Sequence, residues 1–198
     1  DDNTALGYSA MGSNTTGASN TGVGRSALGA NTTGAGNVAV GANALDANTT
    51  ANNNTAVGYT AGSAITTGAE NVILGKGAAL VGTTVSDSVI IGSEAGAALT
   101  TASANVAIGY RSLDAQTTGA GNTAIGTNSL SASTTATNNV AVGRNAMNAN
   151  TTGANNVAVG TYALDANTTA SDNVAVGHHS LGANTTGASN TAVGADAL

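Results

Sequence analysis

From Gly7 to Gly194 a glycine stands at every seventeenth position, twelve in all, with no insertion or deletion between them. A period held this strictly means that whatever one copy does in space, the next repeats after the same length of chain, so the unit is stacked rather than folded into a globule. Around each glycine the repeat reads Asn-[Thr/Val]-Ala-[Val/Ile/Leu]-Gly, as in Asn156 to Gly160. The residue before the glycine is aliphatic in all twelve copies, and the third before it is always Thr or Val. Between these two stands Ala in nine copies, Gly22 in one, and Ile73 and Ile90 in the other two.

β-Branched residues in this density favour extended backbone, and the spacing carries no sustained pattern at three and four residues as a helix would. The sequence therefore predicts an all-β fold, a parallel β-solenoid (β-roll) of 17-residue coils, about twelve of them stacked. With neighbouring strands about 4.8 Å apart, eleven steps make a rod about 50 Å long. The glycine spacing passes unbroken through the least regular stretch, Ile73 to Ile91, so residues 1–198 read as a single repeat array, a piece of a longer fibre.

Strand residues two apart share a face, which groups Val157 with Val159, and likewise in every copy. We take this aliphatic pair as the interior of the coil. The intervening Ala column then faces outward and permits close approach of another sheet, and Ile73 and Ile90 form an apolar patch in need of cover. On this assignment Val159→Asp buries a charge and damages the coil.

The second half of the repeat reads Ala-Leu-x-Ala-Asn-Thr-Thr, as in Ala163 to Thr169. The fourth place after the glycine is Leu or Met in all but three copies. Where it shrinks to Gly62 or Gly96, the place three further on, usually Asn, becomes Ile65 or Leu99. Packed interiors keep their volume roughly constant, so both places should border one space at a corner of the coil. In the third exception, Ala79, the neighbours Leu80 and Val81 are the expected source of the missing volume.

Composition narrows function by exclusion. Charged residues are only 7% of the chain and the net charge is −6 with four basic residues, so phosphate neutralisation along a nucleic acid is not a credible driving force. Cysteine is absent, which removes disulfides and thiolate metal sites. No run of apolar residues is long enough to span a membrane. His178 and His179 are adjacent, with opposite orientations if the chain is extended, and no His recurs at a fixed distance from Ser or Asp. The chain is read as no enzyme, with no cofactor and no metal site.

Three columns could carry recognition. Asn stands four before the glycine in every copy except that of Ser88 and is expected to close the turn into the strand. Paired Thr occur in eleven copies, and alternation should turn one of each pair inward and one outward. The outward candidates are Thr16, Thr33, Thr50, Thr67, Thr84, Thr101, Thr118, Thr135, Thr152, Thr169 and Thr186, a ladder of hydroxyl and methyl groups of the kind that orders water and binds ice. The two places after the glycine hold every basic residue, every Tyr and both His: Tyr8, Arg25, Tyr59, Lys76, Tyr110, Arg111, Arg144, Tyr162, His178 and His179. Aromatic residues and arginine are favoured as interface anchors, so this variable edge is the candidate surface-binding site.

Asn-[Thr/Val]-Ala-[Val/Ile]-Gly resembles the repeat of YadA-like trimeric autotransporter adhesin heads, and the longer unit is similar to repeats of bacterial and phage tail-fibre-domain proteins. That resemblance implies a left-handed roll assembled as a homotrimer, or as a filament, at a cell surface or on a virion. Its period is nearer 14 residues than the 17 seen here. The expected role is a non-enzymatic adhesive or structural fibre segment, extracellular or part of a virion, meeting a host-surface glycan or protein. The alternative is an ice-binding solenoid, since the Asn-x-Val-x-Gly rhythm of plant ice-binding rolls is also similar.

Overall fold

In the computed structural model, which describes residues 2–198 and leaves Asp1 outside, the chain is a parallel β-solenoid. Each coil contributes one three-residue strand, from β1 (Thr4–Leu6) through β10 (Val157–Val159) to β12 (Thr191–Val193). The twelve strands form one sheet in chain order. Register follows the period: Val157 lies beside Val140 and Val174, and Ala158 beside Ala141 and Ala175.

Backbone pairing continues beyond the strands. In the coil of Gly160, the Gly160 and Tyr162 amides donate back to Val142 (2.8 Å) and Arg144 (3.1 Å), while those of Leu164 and Thr168 donate forward to Ser180 (3.0 Å) and Thr185 (3.2 Å). Tight turns make the remainder of each coil, and they use left-handed backbone at the second, fourth and twelfth places after the glycine. Tyr162, Leu164 and Asp172 stand there at φ of 58°, 53° and 63°. Such a conformation costs an ordinary side chain about 1 kcal/mol; hydrogen bonds to the coils on either side hold it.

The strand alternation runs opposite to the sequence expectation. Ala158 is fully buried, whereas Val157 is half-buried and Val159 is 37% exposed. The same phase holds along the sheet: the Ala column points inward and the Thr/Val and aliphatic columns point out. Ile73 and Ile90, expected as an exposed patch, are fully buried. The physical reason is width. Leu164 and its equivalents, from the opposite side of the coil, already fill the interior, so the facing strand position has room only for Ala. Met11 shows the same crowding, since its side chain lies within contact distance of the place where Gly22 lacks a Cβ.

Volume exchange between corner positions is present as expected at Gly62 and Gly96, with the strand isoleucines as additional partners. A Cβ on Gly62 would meet Ile65 Cδ1 at 3.2 Å and Ile73 Cδ1 at 3.0 Å, so both isoleucines fill the space of the missing Leu. At Gly96 the space is taken by Leu99 and Ile90. Leu80 and Val81 do not contribute, being 39% and 44% exposed; in the coil of Ala79 the buried aliphatics are Ile73 and Val85, and Val85 Cγ2 lies 2.8 Å from where Gly82 lacks a Cβ.

The glycine column has two causes at once. Its φ lies between +128° and +141° from Gly7 to Gly194, a region L side chains rarely adopt. A Cβ on Gly160 would also collide with the carbonyl of Gly177 directly above. Beside it runs the buried Asn column. Asn156 Nδ2 donates to Asn139 Oδ1 (3.1 Å) and to the Ala170 carbonyl (2.9 Å), and its Oδ1 accepts from the Asn173 backbone (3.0 Å) and side-chain amides (3.2 Å). The expected turn-closing role is thus met by a bond that ties the start of each coil to a point fourteen residues later. Ser88 keeps part of it, accepting from the Asn105 amide at 3.2 Å. A second buried column at Asn31, Asn48, Asn150 and Asn167 bonds in the same way, Asn167 Nδ2 reaching Asn150 Oδ1 and the Ala170 carbonyl.

Candidate functional site

The corner after each glycine holds the variable residues. Tyr8, Arg25, Tyr59, Lys76, Tyr110, Arg144 and His178 stand at its first place, and Arg111, Tyr162 and His179 at its second. Tyr162 is half-buried, and the other nine are exposed. Because the second place is left-handed, neighbouring side chains there do not alternate as they would on a strand. His178 and His179 therefore lie together, ring centres 5.8 Å apart, rather than on opposite sides as extended chain would place them.

Three successive coils bring four of these residues into one group. The Arg144 guanidinium lies 4.9 Å from the centre of the Tyr162 ring, within cation–π range. Tyr162 in turn meets His178 edge-on at 6.5 Å and His179 at 6.0 Å. Asp196 borders the group, 3.9 Å from His178 Nδ1. Arg144 has no acidic partner within ion-pair distance among the described residues. Its charge and the aromatic faces beside it are thus presented together to solvent. The arrangement suits a ligand that pairs a negative group with a flat apolar face.

Arg111 is differently placed. Asp114 holds it at 2.9 Å and Glu94 at 3.6 Å, and the Asp114 charge raises the guanidinium above its already high ordinary value. Its positive charge is compensated within the chain. No group of three or more His, Asp or Glu side chains able to hold a metal occurs among the described residues.

Neither Thr of a pair faces the interior. Thr151, the first of its pair, is half-buried, and its hydroxyl donates to the Thr168 carbonyl at 3.0 Å. The same bond recurs from Thr15 to Thr168 along the rod. The second Thr, from Thr16 through Thr186, is exposed in every coil. Its hydroxyl is left to solvent.

One surface was missed by the sequence reading altogether. The outward side of the sheet carries the Thr/Val column from Thr4 to Thr191 beside the aliphatic column from Leu6 to Val193. These are 24 positions, 19 aliphatic and five Thr, with no charged residue among them. The signal was present in parity, since Asn, Ala and Gly sit two apart and share the face that the buried Asn column occupies. No described helix is long and apolar enough to cross a membrane. In comparisons with known proteins, the chain matches no family model, no curated protein and no solved structure.

Proposed function

We propose that the chain is a non-enzymatic structural and adhesive segment of a fibre, extracellular or carried on a virion. The stacked coils supply stiffness and reach, and the corner after each glycine supplies contact. One observation carries this reading: the glycine, the first Asn column and the paired Thr recur with almost no change from coil to coil, while the two corner places vary and hold every Tyr, His and basic residue. The Arg144–Tyr162–His178–His179 group is the part of that corner best suited to anchor a host-surface glycan or protein, because cation and rings are already assembled, with Arg144 and both His exposed and Tyr162 half-buried between them. Self-association belongs to the same reading, and the resemblance to adhesin heads implies a trimer or a filament.

The test is attachment of the labelled chain to a panel of immobilised acidic and neutral glycans and to intact cells. Arg144→Ala with Tyr162→Ala should lower attachment at least tenfold while thermal unfolding stays unchanged. Undiminished attachment of that variant would remove the corner from the reading.

A second reading rests on the outward Thr column, eleven exposed residues at strand spacing. If that column binds ice, the chain shows thermal hysteresis and Thr152→Tyr abolishes it. Absence of hysteresis in the unaltered chain eliminates this alternative.

A further inference from the structure

The outward side of the sheet is an apolar strip with nothing covering it in a single chain. Twelve strands at about 4.8 Å spacing make it about 50 Å long, and two side-chain columns make it about 12 Å wide. That is about 600 Å² of contiguous surface, at the upper end of the apolar patches that monomers tolerate. Val40, Val57, Ile125 and Val159 stand 36–37% exposed along its aliphatic column. By contrast, the rod's charged residues lie on other columns.

We infer that this strip is covered by a second copy of the chain, packed face to face in a two-fold pair. Three features select that occupant. An object that matches 24 uncharged positions over the whole rod must itself be flat, uncharged and equally long, and a second copy has all three properties. Two such strips bury about 1,200 Å² together, the lower edge of the range for specific interfaces. A rod with one apolar face also pairs through the same patch on both partners, whereas a ring of three needs each copy to offer two different faces. The inward Ala column, the sequence candidate for this contact, is already occupied as core.

The inference rests on the self-association in the proposed function but puts a two-fold pair in place of the trimer or filament, and it uses none of the residues of the binding corner. The experiment is sedimentation equilibrium of the full chain, with circular dichroism as a check of folding. The unaltered chain should sediment at twice its 18.6 kDa mass. Ile125→Glu with Val159→Glu should sediment at the single-chain mass with the β spectrum retained, and Asn138→Glu, exposed on another column, should remain paired. If the charged variant fails to fold, Val142→Thr with Val159→Thr and Val176→Thr replaces it, since Thr already stands on this face; the dissociation constant should rise at least tenfold. A single-chain or threefold mass for the unaltered chain overturns the pair, as does a doubled mass that both strip variants leave intact. Loss of surface attachment with the pair intact would count against the corner alone.

Discussion

The coils of Gly143 to Gly177 and those of Gly58 to Gly92 follow the same backbone path but fill it differently. In the first group the interior holds Ala158, Leu164 and a buried Asn167 amide; in the second it holds Ile65, Ile73, Val85, Ile90 and Leu99. Leu at the fourth place gives way to Gly or Ala, Ala on the strand gives way to Ile in two of the three coils, and the second Asn column gives way to Ile65, Gly82 and Leu99. What stays the same is the glycine column and, apart from Ser88, the first Asn column. The backbone path therefore depends on two columns, while the remaining interior needs only a conserved volume.

The most severe break should come from the glycine column, and it should be equal in both groups. Gly160→Ala and Gly75→Ala each combine a φ near +140° with a clash against the next coil's carbonyl. Each should cost about 4 kcal/mol or more, the range reserved for strain and core disruption. Chemical denaturation of the two variants checks this. Unequal losses would mean that the groups differ in more than filling.

Exchanging the filling should cost less and should be partly reversible. Ile73→Ala leaves a cavity and should lose about 3 kcal/mol, while Ala158→Ile overpacks a full interior and should lose about 2 kcal/mol. Leu164→Ala alone should cost about 3 kcal/mol. Combined, Ala158→Ile with Leu164→Ala reproduces the arrangement around Ile73 and Ala79, so the double variant should be more stable than Leu164→Ala alone. A double-mutant cycle showing simple additivity would contradict a shared volume.

The Asn column should separate the groups next. Asn156→Ala removes two donated bonds and leaves the Asn173 amide without its acceptor, at about 1–3 kcal/mol for each buried group stranded. A loss of about 3 kcal/mol is expected. Ser88→Ala strands the buried Asn105 amide and removes the hydroxyl's bond to the half-buried Ser86 carbonyl, and should lose about 1 kcal/mol. Equal losses at the two sites would show that the ladder is not the source of the Asn preference.

The solenoid itself was legible from the sequence, because a fixed period with β-branched clusters admits few other solutions. Its inside and outside were not. Val157 and Val159 look like core by the usual rule that aliphatics go inside, yet the coil is too narrow to admit them. The corrective signal lay in covariation: Ile73 and Ile90 occur in the copies where the fourth place is Ala79 and Gly96. Equally hidden was the left-handed backbone at Leu164 and Tyr162. Gly62, Gly77 and Gly96 hint at it, but L residues hold those places in most other copies. The gathering of His178 and His179 follows from that turn, so alternation could not anticipate it. Val159→Asp, expected from alternation to wreck the coil, should now cost a single chain less than 1 kcal/mol, as surface changes do.

The smallest difference between the groups is electrostatic. At the fifth place after the glycine, the less regular coils carry Ser63, Leu80 and Ala97, whereas Asp46, Asp114 and Asp165 stand there in others. Burial raises the Asp46 carboxyl above its ordinary range, against the opposing pull of its own and the Ala47 backbone amides and of Arg25. A carboxyl raised on folding holds its proton more tightly in the folded chain, so its contribution is favourable in acid and is lost as pH rises through the folded value. Asp46→Asn should therefore raise the melting temperature slightly at pH 7, and the gain should vanish as pH falls below the carboxylate range. Arg25→Ala in the Asp46 background should lower the melting temperature at pH 7, because the remaining charge loses its distant partner. A lower melting temperature for Asp46→Asn at pH 7 would mean that the backbone amides, rather than burial, dominate at this place.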